Sequence, residues 1–315
     1  MKDILKKLFG QTEPHTNETG TAPILPNSLS GSQEITRPLS TKLNLEEANR
    51  QADTQIRLEL PQLHASCGQS VGQQRSHNED ALYSMTSMLV SNERQFPFGI
   101  YIVADGMGGH QHGELASEIA TLTMAEHILE HIYSRQIRPN PLPPETSLRE
   151  ILTEGVIKAH SAILGYAPGG GTTLTTLIIY DSHMAIAHVG DSRVYSVDTE
   201  GTVRPLTRDH SLVKRLEELG QLTPEEAAIH PQRNVLIRAL GQGEPFEPEI
   251  ITGPLPESGY LLVCSDGLWG LVTDKVLGAI IKTTPLLSEA CQKMIDAANN
   301  AGGPDNITAV LVRLP

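Results

Sequence analysis

Apolar positions along this chain fall into short dense runs separated by Asp-, Gly- and Pro-bearing turns, and the runs begin only after Pro61. Leu63–Val71 and Ala81–Met88 read as strands, and Phe98–Ala104 is a compact apolar run that stops at Asp105. From Gly113 to Tyr133 the residues Leu115, Ile119, Leu122, Leu129 and Ile132 recur at steps of three and four or their multiples. That period predicts one long amphipathic helix with those residues on its buried face. Four prolines between 139 and 144 mark a loop, and a second helix is expected from about Ser147 to Leu164, ending before Pro168-Gly169-Gly170-Gly171.

Strands are expected at Thr172–Tyr180, Met184–Val189, Arg193–Val197, Tyr260–Cys264 and Ile307–Val312. Helices are expected at Asp274–Ile281 and Ser288–Asn299, with a polar, helix-prone stretch over Ser211–Ala228. Many strands with helices clustered in pairs, and no strict strand–helix alternation, imply an α+β layered sandwich. The first sixty residues differ in texture. They are rich in Thr, Ser, Asn, Pro, Glu and Gln, too poor in apolar surface to offset the entropy of ordering. The reading is therefore a disordered N-terminal arm over residues 1–60, with some helical spacing near its end, and one folded domain over 61–315.

Charge narrows the partners. With 24 Lys+Arg against 37 Asp+Glu the net charge is -13, which excludes an electrostatic footprint for nucleic acid or anionic membrane. The apolar runs are strand-sized, too short to span a bilayer. Cys67, Cys264 and Cys291 lie far apart, with no zinc or disulfide spacing, and read as buried thiols in a reducing cytoplasm.

The chemistry sits in four acidic motifs at or between the apolar runs: Asn78-Glu79-Asp80, Asp105-Gly106-Met107-Gly108-Gly109, Ser265-Asp266-Gly267 and Gly303-Pro304-Asp305-Asn306. Any one of them alone reads as a turn. Together they place several Asp residues at strand ends, where a rigid scaffold fixes them. Converging carboxylates form a set of hard oxygen ligands suited to Mg²⁺ or Mn²⁺. A glycine beside the Asp lets the backbone approach and offer its carbonyl.

In chain order, Arg75-Ser-His-Asn-Glu-Asp80, Val103-Ala-Asp-Gly-Met-Gly-Gly109, Gly171-Thr-Thr173, Val189-Gly-Asp-Ser-Arg193, Leu206-Thr-Arg-Asp-His210, Ser265-Asp-Gly-Leu-Trp269 and Gly303-Pro-Asp-Asn-Ile-Thr308 resemble the motifs of the metal-dependent, type 2C serine/threonine protein phosphatases. The Asp-Gly-Met-Gly-Gly form resembles the bacterial branch. The resemblance covers roughly Leu63 to Pro315 and implies a four-layer α-β-β-α sandwich, two antiparallel sheets flanked by helix pairs. It implies two metal ions, with room for a third, and hydrolysis of phospho-Ser/Thr on proteins by activated water without a phosphoenzyme. Asp105 is then expected to bridge both ions, Gly106 to give its carbonyl, and Asp266 and Asp305 to bind the second ion. Glu79 and Asp80 are expected to act through water and Asp191 at a third metal, while Asn306 holds neighbouring groups.

Arg75 is the expected phosphate ligand, because a guanidinium offers paired donors matching two phosphate oxygens. Met107 departs from eukaryotic relatives, which carry a histidine there; a thioether donates no proton. His77 and His110 lie nearby in sequence and read as structural or surface residues. The stretch Ser211–Ala239 would be the flap beside the cleft, with Arg233 and Arg238 weighed as phosphopeptide contacts against plain surface charges. Thr172, Thr173 and Trp269 read as packing residues.

The implied partners are phosphoprotein substrates and an opposing Ser/Thr protein kinase, acting on a monomeric, cytoplasmic enzyme. Thr12, Thr16, Thr19 and Thr21 suggest a phosphorylated arm that recruits a phosphothreonine-reading domain. Against this stand a pseudophosphatase binding module, a hydrolase of small phosphoesters, and the anti-sigma-antagonist branch of the same fold. Intact Asp105, Asp266, Asp305 and Arg75 weigh against the first, and Arg75 against the last.

Overall fold

The computed structural model describes residues 62–90, 95–108, 111–138, 146–243 and 247–315; the expectations for the N-terminal arm and for His110 lie outside these. Eleven strands are named among the described residues. One sheet runs β1-β11-β10-β7-β8, built from His64–Ser70, Ile307–Arg313, Tyr260–Cys264, Arg193–Val197 and Val203–Pro205. The other runs β2-β3-β5-β6-β9, built from Asp80–Val90, Gln95–Met107, Leu174–Tyr180, His183–Val189 and Glu249–Pro254. The two-residue β4 (Gly171–Thr172) pairs with the end of β3. Every pairing is antiparallel.

The central strands read as unbroken apolar runs because both of their faces are covered, a pattern more usual for parallel sheets. In β3 the side chains of Phe98, Ile100, Ile102 and Ala104 meet the helix layer, while Tyr101 and Val103 meet the opposite sheet. In β11 the residues Ile307, Ala309 and Leu311 face the C-terminal helices, and Val310 and Val312 face the other sheet. Three apolar layers follow, one between the sheets and one under each helix pair, which makes the α-β-β-α sandwich.

The helix Leu148–Tyr166 starts at a capping box: Ser147 Oγ accepts from the Glu150 N–H, and the Glu150 carboxylate accepts from the Ser147 N–H at 2.8 Å. These bonds satisfy backbone donors that a first helical turn leaves free. Its neighbour covers Gln111–Ile128, followed by a π turn at Leu129–Tyr133 and a short turn of helix at Ser134–Gln136.

Here the expected buried face is corrected. Leu115 and Leu122 are 40% and 55% exposed, whereas Ala116, Ala120, Met124 and Ile128 are buried. Small side chains win the inward face because the helices pack closely: a Cβ added at Gly155 would lie 2.7 Å from Met124 Sδ. The strand expected over Thr172–Tyr180 divides into β4 and β5, since Thr173 turns its backbone and hydroxyl to Asp105. Strands β8 and β9 and the turn of helix Asp266–Trp269 had no expectation. Cys264 and Cys291 are buried, but Cys67 is exposed, because β1 is an edge strand with one side chain in two turned outward.

Candidate metal centre and phosphate cleft

The register puts the acidic motifs at one end of the sandwich. Asp80 opens β2 and lies opposite Asp105 near the end of β3. Asp266 follows β10, Asp305 precedes β11, and Asp191 sits in the turn between β6 and β7. The first two belong to one sheet, and Asp266 and Asp305 flank strands of the other. All of them except Asp80 line a single cleft of about 260 Å³, together with Arg75, Glu79, Gly106 and Met107.

Asp80 is the stitch between the sheets. Its Oδ2 accepts from Ser265 Oγ at 2.8 Å and from Thr308 Oγ1 at 2.7 Å. Its Oδ1 is buried without a hydrogen-bond partner, and so is Asp266 Oδ1. A buried carboxylate oxygen with no donor is costly. Burial raises the Asp80 carboxyl to about 7, against the two hydroxyl bonds and with the help of Asp266 and Asp305. Asp105 and Asp191 are pushed well up by burial and then by surrounding carboxylates, and Asp266 is raised by burial and by Asp305. Several carboxylates are therefore held where each opposes ionisation of the next. A divalent cation ligated by oxygen relieves both the crowding and the orphaned atoms, and the donors are the hard oxygens that Mg²⁺ and Mn²⁺ take. The residues fit the metal.

The backbone is fixed around these side chains. Gly106 N–H donates to Glu79 O at 3.1 Å. A Cβ at Gly106 would stand 2.3 Å from Gly113 O and 2.6 Å from Glu79 O, so only glycine fits. Asn306 Oδ1 accepts from Glu79 N–H at 2.8 Å, and its Nδ2 donates to Val71 O and His77 O at 2.9 Å. This is the holding role expected of it. Arg75 Nη2 donates to Asp305 Oδ2 at 2.7 Å with its side chain 48% exposed, at the mouth of the cleft. His77 bonds Ser76 Oγ and Glu79 Oε1, each at 3.0 Å.

Some supporting residues were missed in the sequence. Thr173 Oγ1 accepts from Asp105 N–H at 2.9 Å and meets Ser192 Oγ at 2.8 Å, and Thr172 Oγ1 donates to Asp105 O at 2.9 Å. Trp269 Nε1 donates to Asp191 O at 3.0 Å, while its ring lies 3.4 Å from the Arg193 guanidinium, which clasps Asp209 through two nitrogens. The signal was the presence of these residues in the quoted motifs; their partners come from distant strands. Asn234 and Leu236 bring the flap to the cleft wall, whereas Arg238 lines a different cavity.

His188, His210 and Glu249 also gather within 4.8 Å, but their hydrogen bonds oppose a metal there. His210 Nδ1 accepts from Gly190 N–H at 3.2 Å, which leaves the proton on Nε2. His188 Nε2 faces the carbonyl of Arg208 at 3.0 Å and Nδ1 the hydroxyl of Thr175 at 2.9 Å. Neither ring offers a free lone pair.

Comparison with known proteins agrees with this geometry. Residues 67–311 match the family described as protein phosphatase 2C. The serine/threonine phosphatase stp of Listeria innocua is 37% identical over 250 residues, which span 79% of this chain and 95% of that protein. The serine/threonine phosphatase PstP/Ppp of Mycobacterium tuberculosis superposes with a TM-score of 0.67 at 31% identity, over 81% of this chain and 99% of that one. A structure of the PstP catalytic domain in complex with two manganese ions gives a TM-score of 0.65 at 28% identity, over 81% and 99%. The chain belongs to the protein phosphatase 2C family.

Proposed function

We propose that the acid-lined cleft is the catalytic centre, with Asp105, Gly106, Asp266 and Asp305 holding two Mg²⁺ or Mn²⁺ ions. The chain is a metal-dependent serine/threonine protein phosphatase. The observation that carries the assignment of the centre is the pair of buried, partnerless oxygens on Asp80 and Asp266 beside Asp105. When bound, the ions supply a nucleophilic water at neutral pH and neutralise charge on the phosphoryl group.

The chain's own residues do the rest. Arg75 stands at the cleft mouth and receives the substrate phosphate through its guanidinium, its link to Asp305 fixing its aim. Glu79, held through its backbone by Asn306, accepts hydrogen bonds from water in the cleft, and Asp80, locked by Ser265 and Thr308 just behind the cleft wall, turns its remaining oxygen to such a water. Asp191, tied by its carbonyl to Trp269, faces Asp266 and serves a third ion. Met107 brings no proton to the leaving alkoxide.

The substrates are phosphoproteins, and we infer an opposing Ser/Thr kinase and a cytoplasmic, monomeric enzyme. No described helix is long and apolar enough to cross a membrane. The family match over 67–311 supports a catalytic domain over 61–315, and we infer that residues 1–60 are phosphorylated to recruit a phosphothreonine-reading partner.

The test is hydrolysis of a phosphothreonine peptide with and without Mn²⁺, alongside Asp266→Asn. Metal-dependent release that collapses in the variant is expected. Equal release by the folded variant would remove Asp266 from the centre.

A further inference from the structure

A cavity of about 350 Å³, larger than the catalytic cleft, lies behind the flap. Four guanidiniums from separate elements line it: Arg149 at the start of the helix Leu148–Tyr166, Arg208 after β8, Arg215 in the helix Leu212–Glu218, and Arg238 on the returning flap segment. Like charges gathered in one hollow repel, and here they gather in a chain of net charge -13. Arg149 is also a cation in a first helical turn, where the helix dipole disfavours it.

Carboxylates are present too, but most are already engaged. Of the lining carboxylates, Asp209 is clasped by Arg193, and Glu249 Oε2 stands 3.5 Å from His210 Nε2. Glu247 also lines the cavity. Arg208 and Arg215 share the one carboxylate of Glu218. Arg149 and Arg238 donate to backbone carbonyls, those of Ile250 at 2.8 Å and Glu247 at 3.4 Å. Each guanidinium carries five N–H donors, so donors exceed the acceptors. His210 forms the floor: it is 5% exposed, and with Nδ1 taken by Gly190 its Nε2 proton faces Glu249 at the cavity edge, where an anion would compete for it.

We propose that this cavity is a second oxyanion site that takes a phosphoryl dianion outside the catalytic cleft. Guanidinium forks match phosphate oxygens in pairs, and two sources share the chemistry: free phosphate, or a phosphate carried on a peptide. The site backs onto the catalytic one. Leu236 lines the cleft and Ile237 the cavity. Ile237 N–H donates to His210 O at 2.8 Å, and His210 N–H donates to Gly190 O at 2.7 Å, next to Asp191. An anion on the arginines therefore braces the flap from behind. The inference stands apart from the roles given to Asp105 and Asp266, because its test reads binding.

The full-length protein with Mg²⁺ present is titrated with inorganic phosphate, and side-chain N–H resonances are followed by NMR. The expected result is saturable shifts at His210 Nε2 and Arg238 that persist in Arg75→Ala and weaken roughly tenfold or more in Arg149→Gln/Arg238→Gln, as the loss of charge-assisted bonds requires. Because the shifts are located in the unmutated protein, a folding defect in the variant does not decide the matter. A peptide carrying a non-hydrolysable phosphonate, titrated into Arg75→Ala, separates the sources: tighter binding than phosphate points to a peptide-borne group, equal binding to free phosphate. Shifts confined to the cleft, abolished by Arg75→Ala, or no saturable shift at His210, would overturn the proposal.

Discussion

Asp80 and Asp105 stand directly opposite one another across the β2–β3 ladder, and the hydroxyls of Ser265 and Thr308, from the other sheet, hold only one of the Asp80 oxygens. Facing like charges destabilise a sheet. In the metal site proposed above the same geometry gathers the cation's ligands, so stability and metal binding are opposed functions of one set of residues.

Chelation is therefore expected to lower the thermal midpoint. Mg²⁺ at a hundredfold excess over its Kd should restore about 2.7 kcal/mol. In chelated protein, Asp105→Asn should unfold at a higher temperature than the parent while losing hydrolysis with metal. Calorimetry with and without EDTA checks both; an equal midpoint in the two conditions would remove the metal from this cluster.

Arg75→Ala should lower kcat/KM by roughly tenfold to a hundredfold, the loss of a charge-assisted pair of bonds. Arg75→Lys should recover only part, because an ammonium lacks the planar fork. Steady-state kinetics on a phosphothreonine peptide decide this, and unchanged kcat/KM in the alanine variant would take Arg75 out of phosphate binding.

Thr173→Val removes the acceptor for Asp105 N–H and the contact with Ser192 in a fully buried position. Stranding those groups should cost about 1–3 kcal/mol and weaken the affinity for Mn²⁺, while Thr173→Ser should retain both. Metal-dependent activity curves give the reading that a purely structural role would not move.

Acid stability turns on the imidazole pair. Burial lowers His188 to about 4 and His210 to about 3, below the ordinary value near 6.5. The unfolded chain binds these protons first, so their contribution is complete above about 6.5 and is lost as pH falls toward 4. For His188 alone that is on the order of 3 kcal/mol. With Mg²⁺ present, the midpoint should fall over this window, and His188→Gln should flatten the fall. A profile of equal slope in the variant would show that His188 does not carry it.

Two kinds of information separate here. The apolar runs of β3, β5, β10 and β11 and the Asp-bearing turns beside them are local, and the chain states them directly. A strand buried on both faces is mostly apolar, and an acidic residue at its end is functional or costly. The positions of Asp105, Asp266, Asp305 and Arg75 were accordingly legible. The inward face of the helix Gln111–Ile128 was not, because its period fits more than one face and close packing at Gly155 selects the alanines over Leu115 and Leu122. Nor were the exposure of Cys67, the paths of β8 and β9, or the withdrawal of Arg238 from the cleft. Tertiary structure alone supplied the partners that fix the carboxylates beside one another. Ser265 and Thr308 reach Asp80, and Thr173 reaches Asp105, across long stretches of chain, and such meetings depend on which surfaces are buried together rather than on any spacing in the sequence.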